Sequence, residues 1–194
     1  GKSLSWISME RDGYEADLKR LFVLDLKTGK KTYLTDGFEY DVDETVWSPD
    51  SKSIYFLCTK EAETHLWELG LKKRSIRQIT SGQYDYTSVS LRAGKLLAGR
   101  QSYNDPKDLY LVDPHSGKAQ QVTAENKSIL GDMPNITVEK RWIKTTDGGN
   151  MLVWVVLPPN FDKTKKYPAL LFCQGGPQSA VSQFFSYRWN MRLM

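Results

Sequence analysis

The stretch of this sequence best suited to chemistry is Gln174-Gly175-Gly176-Pro177. It follows the apolar run Ala169-Leu170-Leu171-Phe172-Cys173, so a buried strand would deliver a glycine pair at its end. Glycine has no Cβ, which lets its backbone N–H approach a ligand closely. Donors of that kind stabilise the oxyanion that forms when a nucleophile attacks a carbonyl, each typically worth about 3–4 kcal/mol. Gly176 is the candidate donor. The plainer reading is that Gly175-Gly176-Pro177 only turns the chain after a strand. Gln174 either shapes a pocket or hydrogen-bonds the loop.

Other polar residues carry weaker signals. Arg188 has two readings: it meets a substrate carboxylate or carbonyl, or it pairs with an acid across a domain interface. Tyr187 and Trp189 read as interface packing. Asp41, Asp43 and Glu44 could hold a metal or a substrate amine, but they read more simply as a solvated loop entering a strand, and their spacing is not that of an EF-hand. His65 and His115 stand apart from each other and from other metal-ligating side chains, so no metal and no cofactor is expected. Cys58 and Cys173 lie inside apolar, strand-like runs and read as buried small hydrophobes. A catalytic Cys173 would need a histidine base nearby, and both histidines are far upstream.

These residues sit in a chain of ordinary composition. Its 194 residues are 40% hydrophobic and 26% charged, with a net charge of +4. The densest basic run, Lys72-Lys73-Arg74, falls at an expected turn without interleaved aromatics, so no nucleic-acid partner is expected. The longest apolar run, Met151–Leu157, is strand-sized, and no membrane span is expected. No signal peptide opens the chain, and Gly1 without a preceding Met reads as an internal start. Two cysteines are too few for a disulfide scaffold.

A fifteen-residue phrase recurs three times: LFVLDLKTGKKTYLT at 21–35, LWELGLKKRSIRQIT at 66–80 and LYLVDPHSGKAQQVT at 109–123. Each opens on Leu-aromatic and closes on Thr, and the threonines are 45 and 43 residues apart. That period is the signature of β-propeller blades, each a four-stranded antiparallel sheet. Each phrase reads as a hairpin, with Gly29 and Gly117 turning the first and third copies. The middle copy has Lys73-Arg74 there, which predicts a different turn. A second hairpin precedes the repeated one: Val42–Trp47, a Ser48-Pro49-Asp50-Ser51 turn of type I, then Ser53–Thr59. Its counterpart is Thr87–Leu91, Arg92-Ala93-Gly94 and Lys95–Gln101, and at the chain start only Lys2–Met9 remains. Two complete blades are predicted at about 42–80 and 86–123, after most of a third. The Trp47-Ser48-Pro49-Asp50-Ser51 turn with its flanking strands resembles the TolB-type propeller repeat.

After Thr123 the pattern changes. A polar connector, 124–135, leads to a predicted hairpin of Val138–Thr145 and Met151–Leu157, then a polar loop and a third strand, Ala169–Cys173. Strands apolar on both faces imply layers on both sides, as in α/β architecture. Val181–Met194 could begin a first helix. The fold expected is therefore mostly β: the C-terminal blades of a β-propeller over 1–130, then over 131–194 a linker and the first strands of an α/β-hydrolase domain.

This order of parts, with Lys166-Tyr167-Pro168-Ala169-Leu170-Leu171-Phe172 and the Gly-Gly-Pro that follows, resembles the prolyl-oligopeptidase-type serine peptidases. It is most similar to their acylaminoacyl-peptidase and dipeptidyl-peptidase branch. The segment Gln174–Asn190 is similar to type 5 dipeptidyl peptidases of Gram-negative bacteria. Where many relatives have His-Gly-Gly-Pro this chain has Gln174, which cannot titrate. The resemblance implies a periplasmic exopeptidase acting on oligopeptides, by Ser-His-Asp acyl transfer. It also implies that Ser, Asp and His all lie after Met194, since no G-x-S-x-G is present. The chain alone should then be inactive. The rival expectation is a non-catalytic TolB-like propeller that binds a protein partner, and it requires Met151–Cys173 to pair as another blade. Oligomeric state is not legible in the sequence.

Overall fold

Side-chain parity in one strand organises the molecule. The computed structural model describes residues 1–173 and 179–193. In β5 (Ser53–Lys60), Ile54, Phe56 and Cys58 enter one hydrophobic core while Tyr55 and Leu57 enter another. Successive side chains of a strand point to opposite faces, so β5 lies in a sheet buried on both sides. That sheet is a four-stranded antiparallel meander of β4 (Asp43–Trp47), β5, β6 (Glu63–Gly70) and β7 (Ser75–Gln78). On one side lies a three-stranded sheet of β1 (Ser3–Ser8), β2 (Arg20–Asp25) and β3 (Lys31–Tyr33). On the other lies a second four-stranded meander, β8 (Asp85–Arg92), β9 (Lys95–Gln101), β10 (Asp108–Val112) and β11 (Ala119–Gln121). β8 packs against β4, β5 and β6, and β1 against β4. Trp47 adds a polar tie between sheets, its indole N–H donating to Ser5 Oγ at 2.9 Å.

The recurring phrase has a physical basis. In all three copies the closing threonine hydroxyl accepts the backbone N–H of the opening leucine: Thr35 from Leu21 at 3.1 Å, Thr80 from Leu66 at 3.0 Å, and Thr123 from Leu109 at 2.9 Å. The carbonyl of the same leucine takes the N–H of the residue before the threonine. The hydroxyl thus closes the ladder where the outer strand ends, and satisfies a buried donor that would otherwise be costly.

The turn of the middle copy does not differ as expected. Arg74 occupies the place of Gly29 and Gly117 and takes their left-handed conformation, with φ of 50° against 69° and 71°. Pairing of Gly70 with Ser75 holds the loop at the same length, so the arginine bears a strain that a glycine would not. At Gly117 glycine is needed twice over, because a Cβ there would lie 2.1 Å from the Ile79 carbonyl oxygen. The turn at Ser48–Ser51 forms where expected, with Ser51 N–H donating to Ser48 O at 3.0 Å.

Beyond β11, a short helix α1 (Lys127–Leu130) precedes an antiparallel pair, β12 (Thr137–Lys144) and β13 (Asn150–Leu157). Two expectations fail here. Ala169–Cys173 is not a strand, and Leu170 and Leu171 are 77% and 86% exposed, with Cys173 exposed as well. A strand needs a neighbour for its N–H and C=O groups, and among the described residues β13 pairs only with β12. Residues 181–193 form bends and turns instead of a helix, consistent with aromatics that make no helical stripe. Cys58, by contrast, is fully buried, and burial pushes its thiol up to about 12.

Thr35→Val, which keeps shape but removes the acceptor for Leu21, should cost about 1–3 kcal/mol in urea unfolding. Arg74→Gly should gain about 1 kcal/mol by releasing the left-handed strain. A loss on Arg74→Gly would show that the arginine side chain outweighs its backbone.

Candidate functional site

Gln174, Gly175, Gly176 and Pro177 lie outside the described residues. Arg188 is exposed and rests over the ring of Trp189, 5.2 Å from its centroid, while Tyr187 and Trp189 are also exposed. The structure instead gathers polar groups a little earlier in this segment, where Val181–Phe184 meets the sheets and the β12–β13 hairpin.

Asp85, at the start of β8, is the centre of that junction and only 3% exposed. Its Oδ1 accepts the Thr64 N–H at 2.9 Å, and the Ser182 hydroxyl and Gln183 backbone N–H also donate to the carboxylate. Burial nonetheless raises its carboxyl above the ordinary range, helped by the negative charge of Glu63. Tyr103, buried beside it, is pushed up by burial and by the charge of Asp85. The Tyr103 ring packs against Trp154 of β13 and against Phe184, with centroids at 6.4 and 5.9 Å. The Trp154 indole N–H donates to the Val181 carbonyl at 2.9 Å. Lys140 of β12 pairs with Glu63 at 3.0 Å and Glu61 at 3.7 Å, and lies 5.5 Å from the centroid of the Trp154 ring.

A second set of bonds holds the connector. Asn104 bonds Ile136 in both directions, its Nδ2 donating to the carbonyl at 3.1 Å and its Oδ1 accepting the N–H at 3.0 Å. The Arg192 guanidinium donates to the backbone carbonyls of Asn104, Leu130, Met133 and Pro134. Between these sets lies a cleft of about 370 Å³, lined by Tyr84, Asn104, Asp105, Thr137 and Gln183 among others. Gln183 is 2% exposed, and its Nε2 has no partner among the described residues.

None of this makes a nucleophile–base pair. His65 Nδ1 lies 3.2 Å from Thr80 Oγ1, and the ring also bonds the Gly82 backbone. The ring donates to the Gly82 backbone, and the Thr80 hydroxyl, which accepts the Leu66 N–H, keeps its own proton to donate to a neutral ring nitrogen. Burial lowers the His65 pKa to about 4, so the ring is neutral and structural. Asp41 accepts the Lys19 N–H at 2.8 Å, Asp43 pairs with Lys19 at 2.8 Å, and Glu44 reaches the Val89 N–H at 3.1 Å. All three tie neighbouring segments together. Among the described residues no group of three or more His, Cys, Asp or Glu is placed to hold a metal ion.

Sequence reading missed Asp85, Tyr103, Gln183 and Arg192. A signal for Asp85 exists. Tyr40-Asp41 and Tyr84-Asp85 are equivalent dipeptides, each aspartate taking the N–H two residues before a phrase-opening leucine. Each tyrosine ring also carries a cation, Lys60 at 5.4 Å and Arg100 at 4.0 Å. The dipeptide lay just outside the fifteen residues recognised as the repeat.

Residues 1–107 match the family model described as the dipeptidyl peptidase IV (DPP IV) N-terminal region. All of the chain aligns at 66% identity with Dipeptidyl-peptidase 5 of Porphyromonas gingivalis, and spans 28% of that relative's length. Among solved structures, the acylaminoacyl peptidase of Pyrococcus horikoshii superposes with a TM-score of 0.79 at 19% identity, covering 98% of this chain and 29% of that one. The β-propeller domain of the trilobed protease of Pyrococcus furiosus matches at a TM-score of 0.54 and 16% identity, covering 68% of this chain and 38% of that one. These two likenesses are of fold.

His65 and Asp85 act oppositely on stability. For His65 the folded pKa lies below the unfolded one, so its contribution is full above pH 6.5 and is lost as pH falls towards 4. For Asp85 the folded protein holds the proton more tightly, so stability falls as pH rises from about 3.8 through its raised pKa. In urea titrations the advantage of the native chain over His65→Asn should shrink by about 3 kcal/mol between pH 7 and pH 4. An advantage independent of pH would show that His65 does not stay neutral in the fold.

Proposed function

This chain belongs to the dipeptidyl peptidase IV N-terminal-region family, and from that premise we propose that it is part of a serine exopeptidase releasing dipeptides or acyl-amino acids from oligopeptides. The observation that carries this reading is the 66% identity to a Dipeptidyl-peptidase 5 across every residue of the chain. In the proposed enzyme, residues 1–130 supply C-terminal blades of a propeller that restricts entry to short peptides. Residues 131–194 supply the linker and the first part of an α/β-hydrolase domain. The Gly176 N–H donates to the oxyanion of the tetrahedral intermediate, with Gln174, Gly175 and Pro177 shaping that loop. The nucleophilic serine, its histidine base and the orienting aspartate come from residues after Met194. The compartment proposed is the periplasm.

Two features of this chain support the division of labour. His65 is buried, neutral and hydrogen-bonded to Thr80 and the Gly82 backbone, which does not suit it to act as a general base. The β12–β13 pair stands apart from the four-stranded meanders, and Met151–Cys173 does not pair as a further blade, as the protein-binding propeller reading required.

The full-length gene product should release dipeptides from the N-termini of oligopeptides and react with a fluorophosphonate probe at one serine. The chain 1–194 alone should take up no probe. Stoichiometric labelling of a serine within 1–194 would overturn the proposal, as would a full-length product inert towards both probe and peptides.

A further inference from the structure

Residues 181–184 have no regular secondary structure, so their backbone groups must be satisfied by something else. Four consecutive residues are held by side chains from separate elements. The Val181 carbonyl takes the Trp154 indole N–H at 2.9 Å. The Ser182 hydroxyl and the Gln183 N–H both go to Asp85. The Phe184 ring packs on Tyr103. Burial fades a few residues later, where Tyr187, Arg188 and Trp189 are exposed.

The two Tyr-Asp dipeptides isolate what is special about Asp85. Asp41 accepts the Lys19 N–H and so clasps one sheet to the next. Asp85 makes the same clasp to Thr64, but it is buried and turns its remaining acceptor capacity on Ser182 and Gln183. A buried carboxylate is tolerated only where several donors converge on it, and two of the three here come from the 181–184 segment. We propose that Asp85 is a positioning residue that latches Val181–Phe184 onto the sheets. Under the proposed function, in which Gln174–Pro177 form the oxyanion loop, the latch anchors the chain that follows that loop in sequence. That last step rests on reading Gln174–Pro177 as the oxyanion loop. The latch itself does not.

The test uses the full-length gene product and compares Asp85→Asn, Ser182→Ala and Asp41→Asn. Asp85→Asn keeps the side chain's shape, but its amide cannot accept from Thr64, Ser182 and Gln183 together. Ser182→Ala removes one latch donor and leaves the Thr64 clasp intact. Asp41→Asn weakens a sheet clasp remote from the segment. In both latch variants, amide hydrogen exchange over residues 179–186 should quicken about tenfold or more while β9 is unchanged. The kcat for dipeptide release should fall about tenfold with KM within about twofold, because a displaced oxyanion donor is missed in the transition state. Asp41→Asn should change neither quantity. Unchanged exchange over 179–186, or exchange raised equally throughout the protein, would overturn the latch. Faster local exchange with kcat intact would overturn its positioning role. If the native full-length product releases no dipeptide, the proposed function fails, and the exchange data still decide the latch.

Discussion

The structure depends on the middle sheet being buried on both faces. A twisted sheet with a core on each side has no solvent face to absorb an error in register. In β5, Ile54, Phe56 and Cys58 serve one core, and Tyr55 and Leu57 serve the other. A slip of one residue would exchange the two sets. The threonine hydroxyls that take the leucine N–H groups therefore do more than satisfy three donors. Each pins the last strand of a meander at a point where the ladder ends, and so sets the register for everything stacked upon it.

Polar groups at the seams follow the same logic. Asp41, Glu44 and Asp85 all spend carboxylate oxygens on backbone N–H groups of adjacent sheets. Glu44 reaches Val89 because it sits at a register shift in β4 with φ of 41°, which redirects its side chain. Near the last meander the seam buries titratable side chains, His65 and Asp85 among them. His65 stays neutral there because burial outweighs its hydrogen bond to Gly82, and Asp85 is raised because burial outweighs three donors. Burial is the first cause of both shifts, in each case disfavouring the charged form.

The last third of the chain follows different rules. β12 and β13 pair only with each other among the described residues, and Trp142, Ile143, Met151, Leu170 and Leu171 expose large apolar side chains. Under the proposed function these belong to a sheet whose remaining strands lie elsewhere in the enzyme. What orders this region within 1–194 is its attachment to the meanders, through Asn104, Arg192, Trp154 and Asp85.

By itself the sequence determined the repeating unit and its strands, because strand periodicity, turn residues and the Leu-to-Thr span are local properties. It also determined the change of pattern after Thr123. It misjudged Ala169–Cys173, because an apolar run reads as a strand whether or not a partner strand is present to pair with it. It misjudged the turn at Arg74, because the ladder on either side, and not the residue, dictates the backbone there. Tertiary structure alone decided the junction. Thr64, Asp85, Tyr103, Trp154 and Gln183 are spread over more than a hundred positions. Each is unremarkable in its own neighbourhood, and together they form a site only because three separate pieces of chain exclude water from the same place.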